Sequence, residues 1–404
     1  AHLARRGREF GVDIQGDIEV DLARVVERKD EIVDRIEAVN LEEVEETEGI
    51  DYYAGTARFT DPHTLAVDGQ PIRGELIILA TGARPMVPAW PGIEGVDVLT
   101  SRELLDLKEK PEHLIVVGGG YIGLESAQMS RRFGSQVTVL QRSLILKEED
   151  QDIIDRLRDR LDAEGIELHE GTGVTRVQQE GDTITVEAER DGKALTFEGD
   201  ALLVAVGRLP NAQELDLEAA GVDTWGPGWL RVDERMRTSQ PHIYGVGDAT
   251  GEHLFTHVAR YEVEVAVANA LDGEDVEVNY WAAPHAVFTD PELARVGMTL
   301  AEAEAAGYDA MEVDFTYEHL GKALCLGEEE GVMKVVAEQG TGKLLGMHIL
   351  ANHAGELIHE AVVQMHREGS VDDLADAIHI HPTLAEGVND VAFEAAIELG
   401  RRRF

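Results

Sequence analysis

The run Val116-Val117-Gly118-Gly119-Gly120-Tyr121-Ile122-Gly123 sets three glycines at G-x-G-x-x-G spacing, after an apolar stretch and ahead of a helical pattern. Gly118 would permit a tight turn, Gly120 a close backbone approach to a pyrophosphate, and Gly123 close packing of helix on strand. Tyr121 and Ile122 then open the helix, whose first N–H groups are free to bind phosphate. The motif alone is weak, but a strand before it and a second strand after it point to dinucleotide binding. That second strand would end in Asp or Glu if it held a ribose 2′-hydroxyl. Here it ends Val139-Leu140-Gln141-Arg142-Ser143, with Lys147 close behind. A guanidinium in that place pairs with a 2′-phosphate, so NADP(H) is expected, with NAD(H) as the alternative. His379 and His381 have H-x-H spacing, but no third ligand stands near them in sequence, and no metal site is expected. The single cysteine, Cys325, excludes an internal disulfide and a Cys-rich metal centre. It is expected to pack inside the last domain.

The surrounding pattern must position these groups. Residues 20–39 carry apolar side chains at helical spacing, and Ile50 to Ile78 reads as short strands with turns at Asp61-Pro62 and Asp68-Gly69. Pro85, Pro88 and Pro91 mark a connector. From 111 to 235 the pattern is a β-α-β-α-β run followed by three alternating strands and one more apolar strand, an α/β nucleotide domain. Residues 236–280 read as strand, turn and a helix from about Thr256. Residues 281–404 alternate antiparallel strands with helices, an α+β module.

Composition limits the rest. Asp and Glu total 79 against 36 Lys and Arg, a formal charge of −43, and only eight of the basic residues are Lys. So acidic a surface excludes the basic patch that nucleic-acid binding needs. Dense carboxylates with Arg well above Lys resemble the proteins of extreme halophiles, where a Debye length of about 3 Å at molar salt screens the repulsion. No apolar run reaches the roughly 18 residues that span a bilayer, and a cytoplasmic protein is expected.

Three further stretches complete a pattern: Leu79-Ala80-Thr81-Gly82-Ala83-Arg84-Pro85, Ile243-Tyr244-Gly245-Val246-Gly247-Asp248-Ala249, and His379-Ile380-His381-Pro382-Thr383-Leu384-Ala385-Glu386. With the glycine turn between the first two, the chain resembles the flavin-dependent pyridine nucleotide-disulfide oxidoreductases over nearly its whole length. The resemblance implies two Rossmann-like α/β domains, for FAD (1–110 and 236–280) and NAD(P) (111–235), and an α+β dimerisation domain (281–404). It implies FAD contacts from Thr81, Gly82, Gly247 and Asp248, the last to the ribityl hydroxyls. Leu254, Phe255, Thr256 and His257 would present a helix N-terminus to the flavin. Tyr121 would cover the nicotinamide pocket, Glu125 would lie near flavin and nicotinamide, and Gly207 belongs to a signature with Arg208, Leu209, Pro210 and Asn211. His381, oriented by Glu386, would exchange protons with thiols at the partner subunit's flavin, in a homodimer. Such a base needs a pKa near working pH and a carboxylate that fixes its tautomer.

The chain also departs from the family. The usual FAD G-x-G-x-x-G and C-x-x-x-x-C are not in it, and it begins Ala1-His2-Leu3-Ala4. A fragment lacking roughly 50–60 N-terminal residues is expected, the span of a first βαβ unit and the cysteine-bearing helix. The missing ribose acid disfavours dihydrolipoamide dehydrogenase. The end Gly400-Arg401-Arg402-Arg403-Phe404 has no Cys pair, which disfavours mercuric reductase. An NADPH-dependent reductase of a small disulfide, such as bis-γ-glutamylcystine, fits both; a dihydrolipoamide dehydrogenase or mercuric reductase-like enzyme is the alternative, and a non-catalytic nucleotide-binding and dimerisation fragment is the alternative of another class.

Overall fold

The computed structural model describes residues 1–402; Arg403 and Phe404, the end of the Cys-free terminus, lie outside the described residues. The helix Leu22–Glu46 starts at Asp21, whose side chain accepts the Arg24 N–H. A three-stranded antiparallel sheet follows, Ala57–Asp61, Thr64–Val67 and Gln70–Arg73. Strand Ile77–Leu79 then pairs in parallel with Ile243–Gly245, far along the chain. Ala83–Pro85 pairs antiparallel with Arg208–Pro210. These two pairings join the early and middle segments around a core of Phe59, Ile77, Leu79, Ala212, Leu215 and Ile243.

The nucleotide unit is a five-stranded parallel sheet in the order Val98–Leu99, Ala201–Val204, His113–Val117, Gln136–Leu140, Ile166–His169. Its central strands are continuous apolar runs because both faces are covered. The helix Tyr121–Phe133 lies on one side, where Leu124 and Ala127 are buried, and stops at Gly134 in the left-handed region. The meander Gly173–Glu180, Thr183–Arg190, Lys193–Gly199 packs through Val177, Ile184 and Val186 on Ile115 and Leu202. Sheet membership differs from the expected 111–235 span. Val98–Leu99 joins the sheet upstream of 111, and from Arg208 the chain has already returned to the first unit. Strands of two or three residues are too short to carry a period.

The last unit is a five-stranded antiparallel sheet, Pro284–Val287, Glu292–Gly297, Leu344–Ala351, Val332–Glu338, Ala310–Thr316. Helices His359–His366 and Glu386–Glu398 cover it, burying Ala361, Met365, Val388, Val391 and Ala395. Edge strand Ala310–Thr316 carries a weak alternation, Val313 and Phe315 buried and Asp314 exposed, and sequence reading passed over it. Cys325 is exposed on the short helix Gly321–Leu326, contrary to the expected packing, because that helix buries only Ala323. Nucleotide and last units share a core in which Val287, Leu293, Val332 and Leu350 meet Ile153, Ile154 and Leu157. Lys334, almost buried, ties them together through Asp150 at 3.0 Å, Asp152 at 3.2 Å and Glu312 at 2.9 Å. No helix among the described residues is long and apolar enough to cross a membrane.

Candidate active site

The glycine turn has three different tasks. Gly118 sits at φ 121°, and a Cβ there would lie 2.2 Å from the Ala205 carbonyl oxygen. At Gly123 a Cβ would meet the Gly118 carbonyl oxygen at 1.9 Å, so only glycine lets the helix come this near the strand. At Gly120 a Cβ would touch nothing within 4 Å, because that side opens into a cleft. The helix starts at Gly120 with no side-chain acceptor. The N–H groups of its first turn, from Tyr121, Ile122 and Gly123, are left for a ligand. The cleft has a volume of about 760 Å³, and its lining includes Gly118, Gly120, Tyr121, Arg142 and Ser143. Gln141 braces the turn, its Oε1 accepting the Gly119 N–H at 3.0 Å. Arg142 is exposed in the cleft wall and has no salt bridge among the described residues. Lys147 also lines the cleft but lies 3.0 Å from Glu148.

A second group of residues gathers where the first unit closes. Gly82, Gly207 and Gly247 all have positive φ. The Asn211 amide donates to the Thr81 carbonyl at 3.0 Å and its backbone N–H to Gly82 at 3.1 Å, so this turn is held from the far side. Arg208 lies 3.4 Å from the Asp248 carboxylate. The Thr81 hydroxyl is buried without a hydrogen-bond partner. The helix Thr256–Val267 begins at Phe255, again with no side-chain cap. An unpartnered hydroxyl, a carboxylate and an uncapped helix N-terminus fit the polar edge of a flavin nucleotide. Leu254 and Phe255 are half-buried, and His257 Nε2 donates to the Pro284 carbonyl, 2.8 Å away. Glu125 is pinned by the Phe288 N–H at 2.9 Å, and burial pushes its carboxyl up from the usual range. The structure brings Tyr121 of the first group to Phe255 of the second, ring centroids 5.7 Å apart.

His381 stands elsewhere. Its Nδ1 is 2.8 Å from Glu386 Oε1, and the Glu386 Oε2 accepts the Thr383 N–H at 2.8 Å. That backbone bond first, and His381 second, hold the Glu386 carboxyl below the usual range. The His381 side chain is 77% exposed, so the second ring nitrogen faces outward. It does not line the cleft. Ile378 and Ile380 beside it are also exposed. His379 points the other way, buried against Glu360 at 2.8 Å, so the H-x-H pair diverges. The described residues hold no group of three metal-ligating side chains.

Residues 7–270 match the family described as pyridine nucleotide-disulphide oxidoreductase, and residues 283–392 match its dimerisation domain. The chain belongs to this family. It is 36% identical over 388 residues to a mercuric reductase of Bacillus cereus, covering 96% of this chain and 61% of that protein's length. A dihydrolipoyl dehydrogenase of Haloferax volcanii is 37% identical over 407 residues, 98% of this chain and 84% of that one. The HOCl-induced flavoprotein disulfide reductase RclA from Escherichia coli superposes with a TM-score of 0.87 at 32% identity, covering 93% and 86% of the two chains. These relatives and neighbours are flavoprotein disulfide oxidoreductases or carry the names just given. FAD and a nicotinamide dinucleotide are the cofactors of the family.

One cluster was not foreseen from sequence. Glu149 is buried at the boundary between nucleotide and dimerisation units. It receives the Tyr121 hydroxyl at 3.2 Å and the His285 Nε2 at 2.8 Å, with Arg295 at 3.7 Å. Three acids in a row, Glu148-Glu149-Asp150, read as a solvated charge run. The missed signal was the apolar flank Leu144-Ile145-Leu146, which draws the segment inward.

Proposed function

We propose that the chain acts in a homodimeric, FAD-dependent NADPH:disulfide oxidoreductase that reduces a small disulfide. The observation that carries this reading is the His381–Glu386 pair, ordered at 2.8 Å with its outer nitrogen exposed, on a chain that also builds a dinucleotide cleft. Bound FAD would supply the two-electron relay between a nicotinamide and a cysteine pair. The chain's residues do the rest. Gly120 and the first turn of its helix hold the pyrophosphate. Arg142 takes the place of a ribose-binding acid and pairs with a 2′-phosphate. Thr81, Asp248 and the start of the Thr256 helix hold the flavin nucleotide. Glu386 fixes the His381 tautomer, so the outer nitrogen carries the proton that moves.

In the substrate step a thiolate attacks one sulfur of the disulfide, a new S–S bond forms and the old one breaks. The departing sulfur takes a proton from His381. Cys325 is exposed on the short helix Gly321–Leu326 and does not line the cleft, so the attacking thiolate is not assigned to it. His381 is not among the residues that line the chain's own cleft and stands beside exposed Ile378 and Ile380 on the dimerisation unit. This supports its service to the partner subunit.

The Haloferax volcanii relative at 37% identity favours a second reading, dihydrolipoamide oxidation, for which the same His would accept rather than give a proton. A panel of bis-γ-glutamylcystine, glutathione disulfide, lipoamide and Hg(II) under NADPH separates them. Fastest turnover with a small disulfide is expected. Preference for lipoamide moves the protein to the second reading, and preference for Hg(II) contradicts both.

A further inference from the structure

The turn Gly247-Asp248 is held from behind by a carboxylate that the proposed chemistry does not use. Strand Ile243–Gly245 pairs with Ile77–Leu79, and the Val246 N–H still reaches the Leu79 carbonyl at 3.0 Å. The next donor along the chain is the Gly247 N–H. Gly247 is buried and turns at φ 65°, and its N–H has no backbone acceptor among the described residues. A buried N–H left unpaired is costly, so a side chain has to come to it. Glu262 does so from the helix Thr256–Val267, its Oε2 accepting the Gly247 N–H at 2.6 Å. Turn and helix are in close contact there, since a Cβ on Gly247 would lie 3.0 Å from the Ala259 Cβ.

Glu262 has no exposed surface, and its other oxygen is engaged too. Oε1 accepts the Tyr280 hydroxyl at 2.8 Å. Tyr280 lies in the connector between the two family matches, 7–270 and 283–392. The same helix grips this stretch at two more points. The Tyr261 hydroxyl accepts the Asn279 N–H at 2.8 Å, and His257 Nε2 donates to the Pro284 carbonyl at 2.8 Å. Burial, with Glu262 second, pushes the Tyr280 hydroxyl far above its ordinary range, so it donates. Burial pushes the Glu262 carboxyl up as well, against the two hydrogen bonds that hold it down. Asp248 follows Gly247 directly. Apart from Arg208 at 3.4 Å, its carboxylate has no partner among the described residues, so the backbone at Gly247 sets its direction.

We propose that Glu262 is a positioning residue that ties the Gly247-Asp248 turn to the Tyr280 connector, so that the seating of the dimerisation unit holds the turn in place. Its consequence for FAD rests on the flavin reading of that turn. Displacing the connector frees one oxygen of Glu262 and loosens the backbone that aims Asp248.

The test uses the 404-residue chain and two readouts: hydrogen exchange at the Gly247 amide, and FAD binding followed by flavin fluorescence. The Ile77 amide, bonded to the His242 carbonyl in the same unit, reports general loosening. Glu262→Ala and Tyr280→Phe are each expected to speed Gly247 exchange and weaken FAD by about tenfold or more, the size of a charge-assisted hydrogen bond. Ile77 exchange should change by less than about threefold, within the scatter of such a bond. Glu262→Gln is expected to stay near wild type in both readouts, because its amide oxygen still accepts from Gly247 and its amide nitrogen can donate to Tyr280. Adding Tyr280→Phe to Glu262→Ala should cost nothing further. The proposal is overturned if Gln is as damaging as Ala, if Tyr280→Phe leaves Gly247 exchange unchanged, or if Ile77 speeds up as much as Gly247. A wild-type chain that binds no FAD removes the flavin reading of the turn, whereas the exchange pattern still decides the role of Glu262.

Discussion

Two glutamate–histidine pairs in this chain have the same 2.8 Å separation and opposite settings. In Glu149–His285 the carboxylate side chain is 3% exposed and the imidazole 18%, with a tyrosine and an arginine around them. In Glu386–His381 the imidazole is 77% exposed and its outer nitrogen makes no hydrogen bond among the described residues. The first pair is enclosed, with Tyr121 and Arg295 against it. The second is open: Glu386 holds one nitrogen of His381, the Thr383 N–H holds Glu386, and the rest of the ring is exposed. A distance alone does not distinguish a group that holds structure from a group that moves protons. What surrounds the second nitrogen does.

That contrast can be broken at several points. The largest expected effect is on turnover. In the flavin-loaded enzyme His381→Ala should lower disulfide turnover by about 10²–10⁴-fold, the usual worth of a positioned acid or base. His285→Ala at saturating NADPH should lower it by less than about tenfold. Stopped-flow measurement of both half-reactions checks this, and an equal loss in the nicotinamide half-reaction of His381→Ala would remove His381 from proton transfer. Stability should show the reverse order. Glu149→Ala should cost about 1–3 kcal/mol, because it strands a buried hydroxyl and a buried cation. Glu386→Ala should stay near the 0–1 kcal/mol of a surface pair. Chemical denaturation in constant high salt compares them.

The smallest effect is in acid. Glu149 is depressed in the folded chain relative to its ordinary 4.5. Its contribution is therefore complete above that value and is lost as the pH falls through the lower folded value. Glu149→Gln should flatten the acid limb of the stability curve in that window. Glu386 is depressed too, but its pair is open to solvent, so its share of the slope should shrink as salt rises. Salt dependence shared equally by both would contradict the contrast.

Much of this was legible in the sequence, for physical reasons that vary by site. The glycine turn could be read because each glycine answers to one steric demand, and a Cβ at Gly118 or Gly123 would overlap backbone. The parallel strands Leu114 to Val117 and Ala201 to Val204 were legible because burial on both faces leaves an unbroken apolar run. The His381–Glu386 pair was legible because it is local, five residues apart. The Glu149 cluster was not, since Tyr121, Glu149 and His285 come from three separate elements, up to 164 residues apart in sequence. Neither was the return of Arg208–Pro210 to Ala83–Pro85. A three-residue strand has no period, and its partner lies more than a hundred residues earlier.

The central claim is that an NADP(H) cleft, marked by Arg142, feeds a disulfide site completed by His381. The most direct test is to titrate the chain with NADPH and NADH side by side, before and after Arg142→Gln. The account predicts tighter binding of NADPH by about tenfold or more, from charge-assisted contacts to the 2′-phosphate. It also predicts that the preference disappears in the variant while NADH binding is unchanged. Tighter binding of NADH, or an NADPH preference that survives the loss of Arg142, would contradict it.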